Sequence, residues 1–528
     1  MTEREHHQTE DQPTEDRRTR VVLVVLVGLA IIVGIVLRFV ARSELWFDEA
    51  LSVNIARLPL ADLPDALRQD GAPPFFYALL HVWTEIFGTG DVAVRALSGV
   101  VSVATLPLAY LAGRRLAGPR GAGVRDDGRL VGWAAVLVLV SSPYAIRYAT
   151  ESRMYALVVL LVLWGYLALR RALEAPTFGR LAVVALVTAL LLYTQYWCFY
   201  VLAATGLGLV VAAWRGPADL RRPVIRTIAA MVAGGIAFLP WVPTLLDQLA
   251  HTGTPWGDPR VPWSAGADAL LSFAGGEGHA EAFLLLVPFL LLPLLAVFGR
   301  ALDERRIELD LHTQPAVRWE GAAAYGILLL GLTASWAAGT AFEGRYASVV
   351  FPLFVLLVAF GISVFSNSRV RVGVLVVVVL LGFWGSARNI DVLRTQAAAS
   401  ADIIRAEARP GDLVVYCPDQ IGPDVSRLLE GRKLRQVTFP DLARPERINW
   451  IDYRARIDAA DPDAFVQRVL RRAGDATIYY VAAPGYNNVA GKCEAIAGAL
   501  GQSRPGDVRV LPNVDIFEPQ GLTVYRGG

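Results

Sequence analysis

The stretch VVLVVLVGLAIIVGIVLRFVARSELWFDEA, Val21 to Ala50, sets the class of this protein. Val21–Ala41 carries one charge, Arg38, and a membrane-crossing helix needs roughly 20 apolar residues. The segment is too long for a signal-peptide core and lacks a small-residue cleavage site. It therefore reads as a retained span, with Arg38 snorkelling at its outer end. An adjacent acid pair, Asp48 and Glu49, follows at once beside Trp46 and Phe47. The amphipathic continuation runs to Gly71-Ala72-Pro73-Pro74, Tyr77 and His81.

The rest of the chain repeats this theme. Of 528 residues, 54% are hydrophobic and 19% charged, an excess that marks a polytopic membrane protein. Further apolar segments lie at 92–112, 130–146, 154–170, 181–198, 199–214, 227–246, 281–299, 320–341, 349–366 and 370–387. With 21–41 they predict about eleven transmembrane helices, with TQYWCFY (194–200) as a hairpin between two of them. Before them, residues 1–20 read as a disordered cytoplasmic tail, whose His6 and His7 are solvated rather than metal-binding.

Arginines are concentrated in alternate loops: 114–129, 170–180, 215–226, 300–318 and 369–371. Basic loops stay in the cytosol, so eleven spans put the N-terminus inside. The loops 43–91, 144–153, 247–280 and 342–347, and everything after Asn389, then lie outside, at the plasma membrane. The helical membrane part is expected at 21–389 and a small extracytosolic α/β domain at 390–528. There, 411–417, 475–483, 507–517 and 522–525 read as strands, with helical patterns at 395–409, 423–431, 461–473 and 490–501. Alternating strand and helix is the α/β signature. Cys417 and Cys493 share this outer part, where a disulfide is permitted; the alternative is two buried thiols.

Charged groups near the membrane plane need a reason. Asp48–Glu49 reads either as a dipole-favoured pair at a helix start or as a general base with a neighbour that orients substrate. In Ser141–Leu157, Arg147 and Glu151 are spaced to pair on one helix face. With Arg153 they form either an interfacial ion cluster or a cradle for phosphate, which suits the guanidinium fork. Arg345, in Phe342–Tyr346, is either a snorkelling anchor or a further cation on an anionic head group. His81 alone reads as a satisfied interfacial histidine. The glycine-rich 275–279 piece lacks the strand–helix context of a phosphate loop. No Walker, HExxH, GxSxG or CxxC motif is present, which argues against an ATP-driven pump, and nothing points to nucleic acid.

WFDEA (46–50), GAPPFFYALLHVW (71–83), VRALS (94–98), TESRMYAL (150–157) and GRYASVVFP (344–352) occur in this order. In them the chain resembles the C-type (GT-C) integral-membrane glycosyltransferases, specifically the family 39 and RgtA/B/C/D-like group. That group includes protein O-mannosyltransferases and the aminoarabinose transferases of lipid A. The resemblance spans residues 20 to 390 and leaves the C-terminal part aside.

The resemblance implies a GT-C fold and a polyprenyl-phosphate sugar donor used on the extracytosolic face. Asp48 would take the proton of an acceptor hydroxyl, and the sugar would transfer with inversion. Glu49 would help to position acceptor or base, and Glu151 would stand near sugar or acceptor. Arg345 would hold the donor phosphate, with Arg153 and Arg147 as further candidates. His81, Tyr77 and Tyr346 would line the pocket. The donor is a phosphodiester anion, so its departure calls for fixed cations rather than an acid. No cofactor is expected; the alternative is a divalent metal held by Asp48 or Glu49 with Glu151, too few oxygens for a hard cation. The acceptor would be a cell-envelope glycan, a glycolipid or a protein, and the sugar a hexose or pentose, with mannose favoured. Two rivals are a transporter of lipid-linked sugar or glycolipid and a non-catalytic glycan-binding anchor, which would tolerate loss of Asp48.

Overall fold

The computed structural model describes residues 12–118, 128–254, 257–276, 279–483, 486, 489 and 491–527. His6, His7, Arg120, Arg125, Glu277 and Gly278 lie outside the described residues. Helix α1 (Gln12–Leu37) leads into the first loop, which holds α2 (Phe47–Ala56), α3 (Leu63–Asp70) and α4 (Phe75–Phe87). Next come α5 (Asp91–Leu116), α6 (Arg129–Ser141), α7 (Pro143–Ala149), α8 (Tyr155–Glu174), α9 (Phe178–Thr194) and α10 (Cys198–Arg215). The helical part ends with α11 (Ala218–Ala237), α12 (Val242–His251), α13 (Pro262–Ala274), α14 (Ala280–Phe298), α15 (Arg318–Ala337), α16 (Phe351–Val364) and α17 (Ser368–Asp391).

Every expected apolar segment falls on helix, and Gln195–Trp197 turns between α9 and α10. Among the described residues six helices are long and apolar enough to cross a membrane, or seven with the bent pair α6–α7 counted as one span. This is a multi-pass membrane protein, yet length and composition do not reach eleven spans. The apolar part of α1, α9 and α16 are short. Helix α1 also starts at Gln12, so the end of the expected disordered tail is helical.

The α6–α7 pair bends by 58° at Ser142-Pro143. Proline has no N–H and cannot continue the ladder, so α6 ends with carbonyls to satisfy. Arg38 answers them: it is fully buried, and donates to the Leu139 carbonyl at 2.7 Å, the Val140 carbonyl at 2.9 Å and Ser102 Oγ at 3.0 Å. The expected snorkelling of Arg38 is thus corrected, because the broken helix offers it better acceptors than water. The close approach of α1 to α6 depends on Gly34, where a Cβ would strike the Val140 carbonyl.

The loops expected on one side meet at one end of the bundle. Tyr144 Oη donates to the Gly344 carbonyl at 3.1 Å, Ala341 N–H to Thr254 Oγ1 at 2.8 Å, and Gln248 Nε2 to the Leu67 carbonyl at 2.8 Å. At another contact between basic loops, Arg115 meets Glu174 at 2.7 Å. A small hairpin that the sequence did not predict, β1 (Gly299–Ala301) with β2 (Ile307–Leu309), follows α14.

After α17 come α18 (Ala397–Glu407), β3 (Leu413–Cys417), α19 (Gly422–Leu428), β4 (Arg435–Thr438), α20 (Tyr453–Ala459), α21 (Pro462–Ala473), β5 (Ile478–Ala482), α22 (Lys492–Ser503), β6 (Gly506–Val510) and β7 (Gly521–Tyr525). The sheet order is β4-β3-β5-β7-β6, with β3 parallel to β4 and β5, and β7 antiparallel to β5 and β6. Both β4 and α20 escaped the sequence reading, and the expected 507–517 strand stops at Val510. Cys417 and Cys493 form a disulfide. The C-terminal part rests on the first loop of the membrane part and the start of α5: Asn54 Nδ2 donates to the Glu446 carbonyl at 2.8 Å, and Arg427 of α19 meets Asp91 at 3.2 Å.

Candidate active site

Helix α2 starts at Phe47, so Asp48 and Glu49 occupy its first turn, where the helix dipole favours negative charge. Neighbouring residues on a helix point about 100° apart, and here the two acids part company. Glu49 is fully buried and turns toward α5. Arg95 grips it with both arms, Nε to Oε1 at 2.8 Å and Nη2 to Oε2 at 2.7 Å. Ser152 N–H donates to Oε1 at 2.8 Å, and Arg394 stands 3.6 Å from Oε2. Burial pushes this carboxyl up, but the Arg95 charge and its hydrogen bonds outweigh that and hold it below its ordinary value. Both of its oxygens are engaged, and through them Glu49 ties α2 to α5 and to the 150–153 corner.

Asp48 faces the other way, with 14% of its side chain exposed. Its Oδ2 lies 3.6 Å from Arg345 Nη1 and 3.9 Å from Arg153 Nη2. The guanidinium of Arg345 also lies over the Trp46 ring at 5.6 Å and the Tyr346 ring at 5.9 Å. Tyr346 stacks on Trp197, with centroids 5.9 Å apart. Arg153 donates to Ser52 Oγ at 2.8 Å and Tyr77 Oη at 3.2 Å, and Tyr77 donates to Asp70 Oδ2 at 2.8 Å. Asp70 is the last residue of α3, set by the left-handed Gly71 (φ 83°) that closes the helix. Burial raises the Asp70 carboxyl despite the Arg153 charge. Burial and the Asp70 charge raise the Tyr77 phenol, which stays a donor.

Glu151 is buried and pairs with Arg147 at 3.0 Å, the expected four-residue spacing. Burial raises its carboxyl, against the pull of Arg147 and Arg394. Both Glu151 oxygens, Ser152 Oγ, Arg153 Nε and Arg394 Nε are buried without a hydrogen-bond partner among the described residues. Buried polar atoms are seldom left so; Glu151 Oε2 keeps its ion pair with Arg147, and the remaining atoms offer hydrogen bonds to a polar ligand.

Asp48, Arg153, Arg345, Tyr346 and Tyr77 are therefore brought together, with Arg147 and Glu151 alongside. His81 is not part of this group: its Nδ1–H donates to the Ala56 carbonyl at 2.7 Å, the far end of α2. It satisfies a helix-terminal carbonyl there, which corrects its expected place in the pocket. The sequence reading missed Asp70, Arg95 and Arg394. Arg95 stands inside the quoted VRALS motif, which was the available signal. Arg394 had none: it is 1% exposed and donates to the Thr150 carbonyl and Oγ1, both at 2.7 Å. Among the described residues no group of three His, Cys, Asp or Glu could hold a metal ion. Glu49, engaged by Arg95, is not available to the metal set considered above.

A helical bundle with short helices in its first loop, and a mixed sheet seated on that loop, make a fold similar to that of ArnT. The crystal structure of ArnT from Cupriavidus metallidurans in the apo state superposes with a TM-score of 0.59. It is 14% identical in sequence, and the match covers 96% of this chain and 98% of that one. The same protein bound to undecaprenyl phosphate gives a TM-score of 0.54 at 14% identity, over 95% and 98% of the two chains. No protein-family model matches the sequence, and no curated protein sequence does either.

Proposed function

We propose that this chain is a glycosyltransferase that moves a sugar from a polyprenyl-phosphate donor to a hydroxyl, on the extracytosolic face of the plasma membrane. The observation that carries the reading is the set of Asp48, Arg153 and Arg345, drawn from three separate corners to within 4 Å contacts. A carboxylate between two guanidiniums is poised to exchange an internal partner for a phosphate. The solved complex of the similar fold with undecaprenyl phosphate supports that choice of anion.

In this mechanism the donor phosphate binds Arg345 and Arg153, which releases Asp48 from them. Asp48 then takes the proton of the acceptor hydroxyl as that oxygen attacks the anomeric carbon from the face opposite the phosphate. The carbon–oxygen bond to phosphate breaks, and polyprenyl phosphate leaves with the electron pair. The two guanidiniums stabilise the charge that grows on it, the usual source of the largest catalytic gain. Glu151, Ser152 and Arg147 offer hydrogen bonds to sugar hydroxyls. Arginine supplies the positive charge, so the step is written without a metal. Eleven crossings with an internal N-terminus, and a C-terminal domain at 390–528 outside, complete the proposed topology. The acceptor is a cell-envelope glycan, a glycolipid or a protein. Mannose stays the favoured sugar.

The test uses the full-length protein in lipid nanodiscs with a labelled polyprenyl-phosphate sugar. Asp48→Asn should lower transfer by about 10²–10⁴-fold while the protein stays folded. Normal turnover by that variant removes Asp48 as the base. Lipid and glycan profiling of a deletion strain identifies the donor and acceptor.

A further inference from the structure

The connection between β6 and β7, residues 511–520, crosses to the start of α2. Phe517 packs edge-to-face on Trp46 with centroids 5.2 Å apart. Glu518, 3% exposed, accepts from Phe47 N–H through Oε2 at 3.2 Å. Its backbone is tied to the start of the C-terminal part. Glu518 N–H donates to the Arg394 carbonyl at 3.0 Å, and Gln396 N–H donates to the Glu518 carbonyl at 3.2 Å.

The Glu518 carboxyl is hydrogen-bonded to that of Asp424 in α19, which is 1% exposed. Three further donors point at Asp424: Gln520 Nε2 at 2.7 Å, Thr395 Oγ1 at 2.9 Å and Val425 N–H at 2.9 Å. Tyr486 Oη lies 3.5 Å from Glu518, Tyr416 faces Asp424, and the Asp48 charge on α2 acts on Tyr486. Among the described residues neither carboxyl has an ion pair, and the nearby Arg394 is turned to Glu49 and Thr150.

Two carboxyls in contact without a cation hold one proton between them, because two adjacent buried charges repel. Asp424, with three donors aimed at it, takes the charge. The proton belongs to Glu518, which donates to Asp424 and accepts from Phe47 N–H with its other oxygen. We propose that protonated Glu518, seated on Asp424, is a positioning residue for Asp48: it caps the first turn of α2 and sets the base against its substrates. This rests on Asp48 being the base. It also gives the C-terminal part a role, since the cap reaches α2 from the far end of the chain.

The pH dependence follows in sign. Burial and the Asp424 charge raise the Glu518 carboxyl well above its ordinary value. Burial also pushes Asp424 up to about 6, so the one-proton arrangement is complete only above that value and is lost as pH rises further through the raised Glu518 value. Ionised Glu518 would face ionised Asp424, and the 517–518 segment would lift from Trp46 and Phe47.

The experiment compares wild type, Glu518→Gln and Glu518→Ala as full-length protein in nanodiscs. It measures kcat against pH and hydrogen exchange of residues 44–52, corrected for intrinsic rates. Gln reproduces the protonated acid, donating to Asp424 and accepting from Phe47, and cannot ionise. Wild type should lose kcat and protection on the alkaline side, each about tenfold, and Glu518→Gln should keep both. Glu518→Ala should lower kcat about tenfold at every pH with donor KM within about twofold. Superimposable wild-type and Gln profiles, in kcat and in exchange, overturn the inference; so does an unchanged kcat in the Ala variant. Exchange needs no substrate. If transfer fails in every preparation while the exchange difference appears, the transferase reading falls and the link from Glu518 to α2 stands.

Discussion

Replacing Glu49 tests whether it works on substrate or on the fold. Glu49→Ala removes the two Arg95 bonds and the Ser152 N–H bond, and leaves Arg394 facing a void. Hydrogen bonds to charged groups contribute about 1.5–3 kcal/mol each, so a simple sum for three runs to several kcal/mol. Relaxation recovers part of it, and breaking one side of a buried ion pair costs about 3–5 kcal/mol. That is the expected loss, because the Arg95 guanidinium stays buried and keeps, among the described residues, hydrogen bonds to the Ser43 and Glu44 carbonyls. The assay is unfolding in detergent, followed by size exclusion and fluorescence, beside transfer activity. The paired replacement Glu49→Leu with Arg95→Met leaves neither charge stranded and should regain most of the stability, as such exchanges often do. Activity should return with it, since Asp48 is untouched. A double variant that is as stable as wild type yet inactive would refute the reasoning, because Glu49 would then act on substrate.

Arg345→Ala should raise donor KM by about tenfold or more, the scale of a lost charged contact, with acceptor KM little changed; titration with polyprenyl phosphate checks it, and unchanged donor affinity takes Arg345 out of the phosphate site. Reducing the Cys417–Cys493 bond, which closes a 76-residue separation, should destabilise the C-terminal part by about 4.5 kcal/mol on the chain-entropy account. Thermal melts with and without reductant read this directly, and identical melts would show that the bond adds nothing.

Much of the helical layout was legible. Long apolar runs have few alternatives in a bilayer, so all of the expected segments are helices, even where length alone does not make a span. Strands β3 and β5, buried runs of Val, Ile and Tyr, were plain. Strand β4 was not: Arg435-Gln436-Val437-Thr438 is a short edge of mixed polarity, made a strand only by its pairing with β3. Arg38 was misplaced because its partners are carbonyls released by Pro143, about a hundred residues away. No local pattern announces that debt.

The site divides in the same way. By itself the sequence determined that Asp48, Glu49, Glu151, Arg147, Arg153 and Arg345 are charges held in corners between apolar segments. Apolar spans leave few places for charge, and family-like motifs marked those corners. Only the tertiary structure decided which acid faces which cation. It turned Asp48 to Arg153 and Arg345, buried Glu49 on Arg95 and Arg394, and brought Glu518 to the N–H of Phe47. The physical reason is that a buried carboxylate must find its partners in space. Which of many arginines stands beside it depends on helix packing and on the fold-back of the C-terminal sheet, and neither is written in the spacing of residues along the chain.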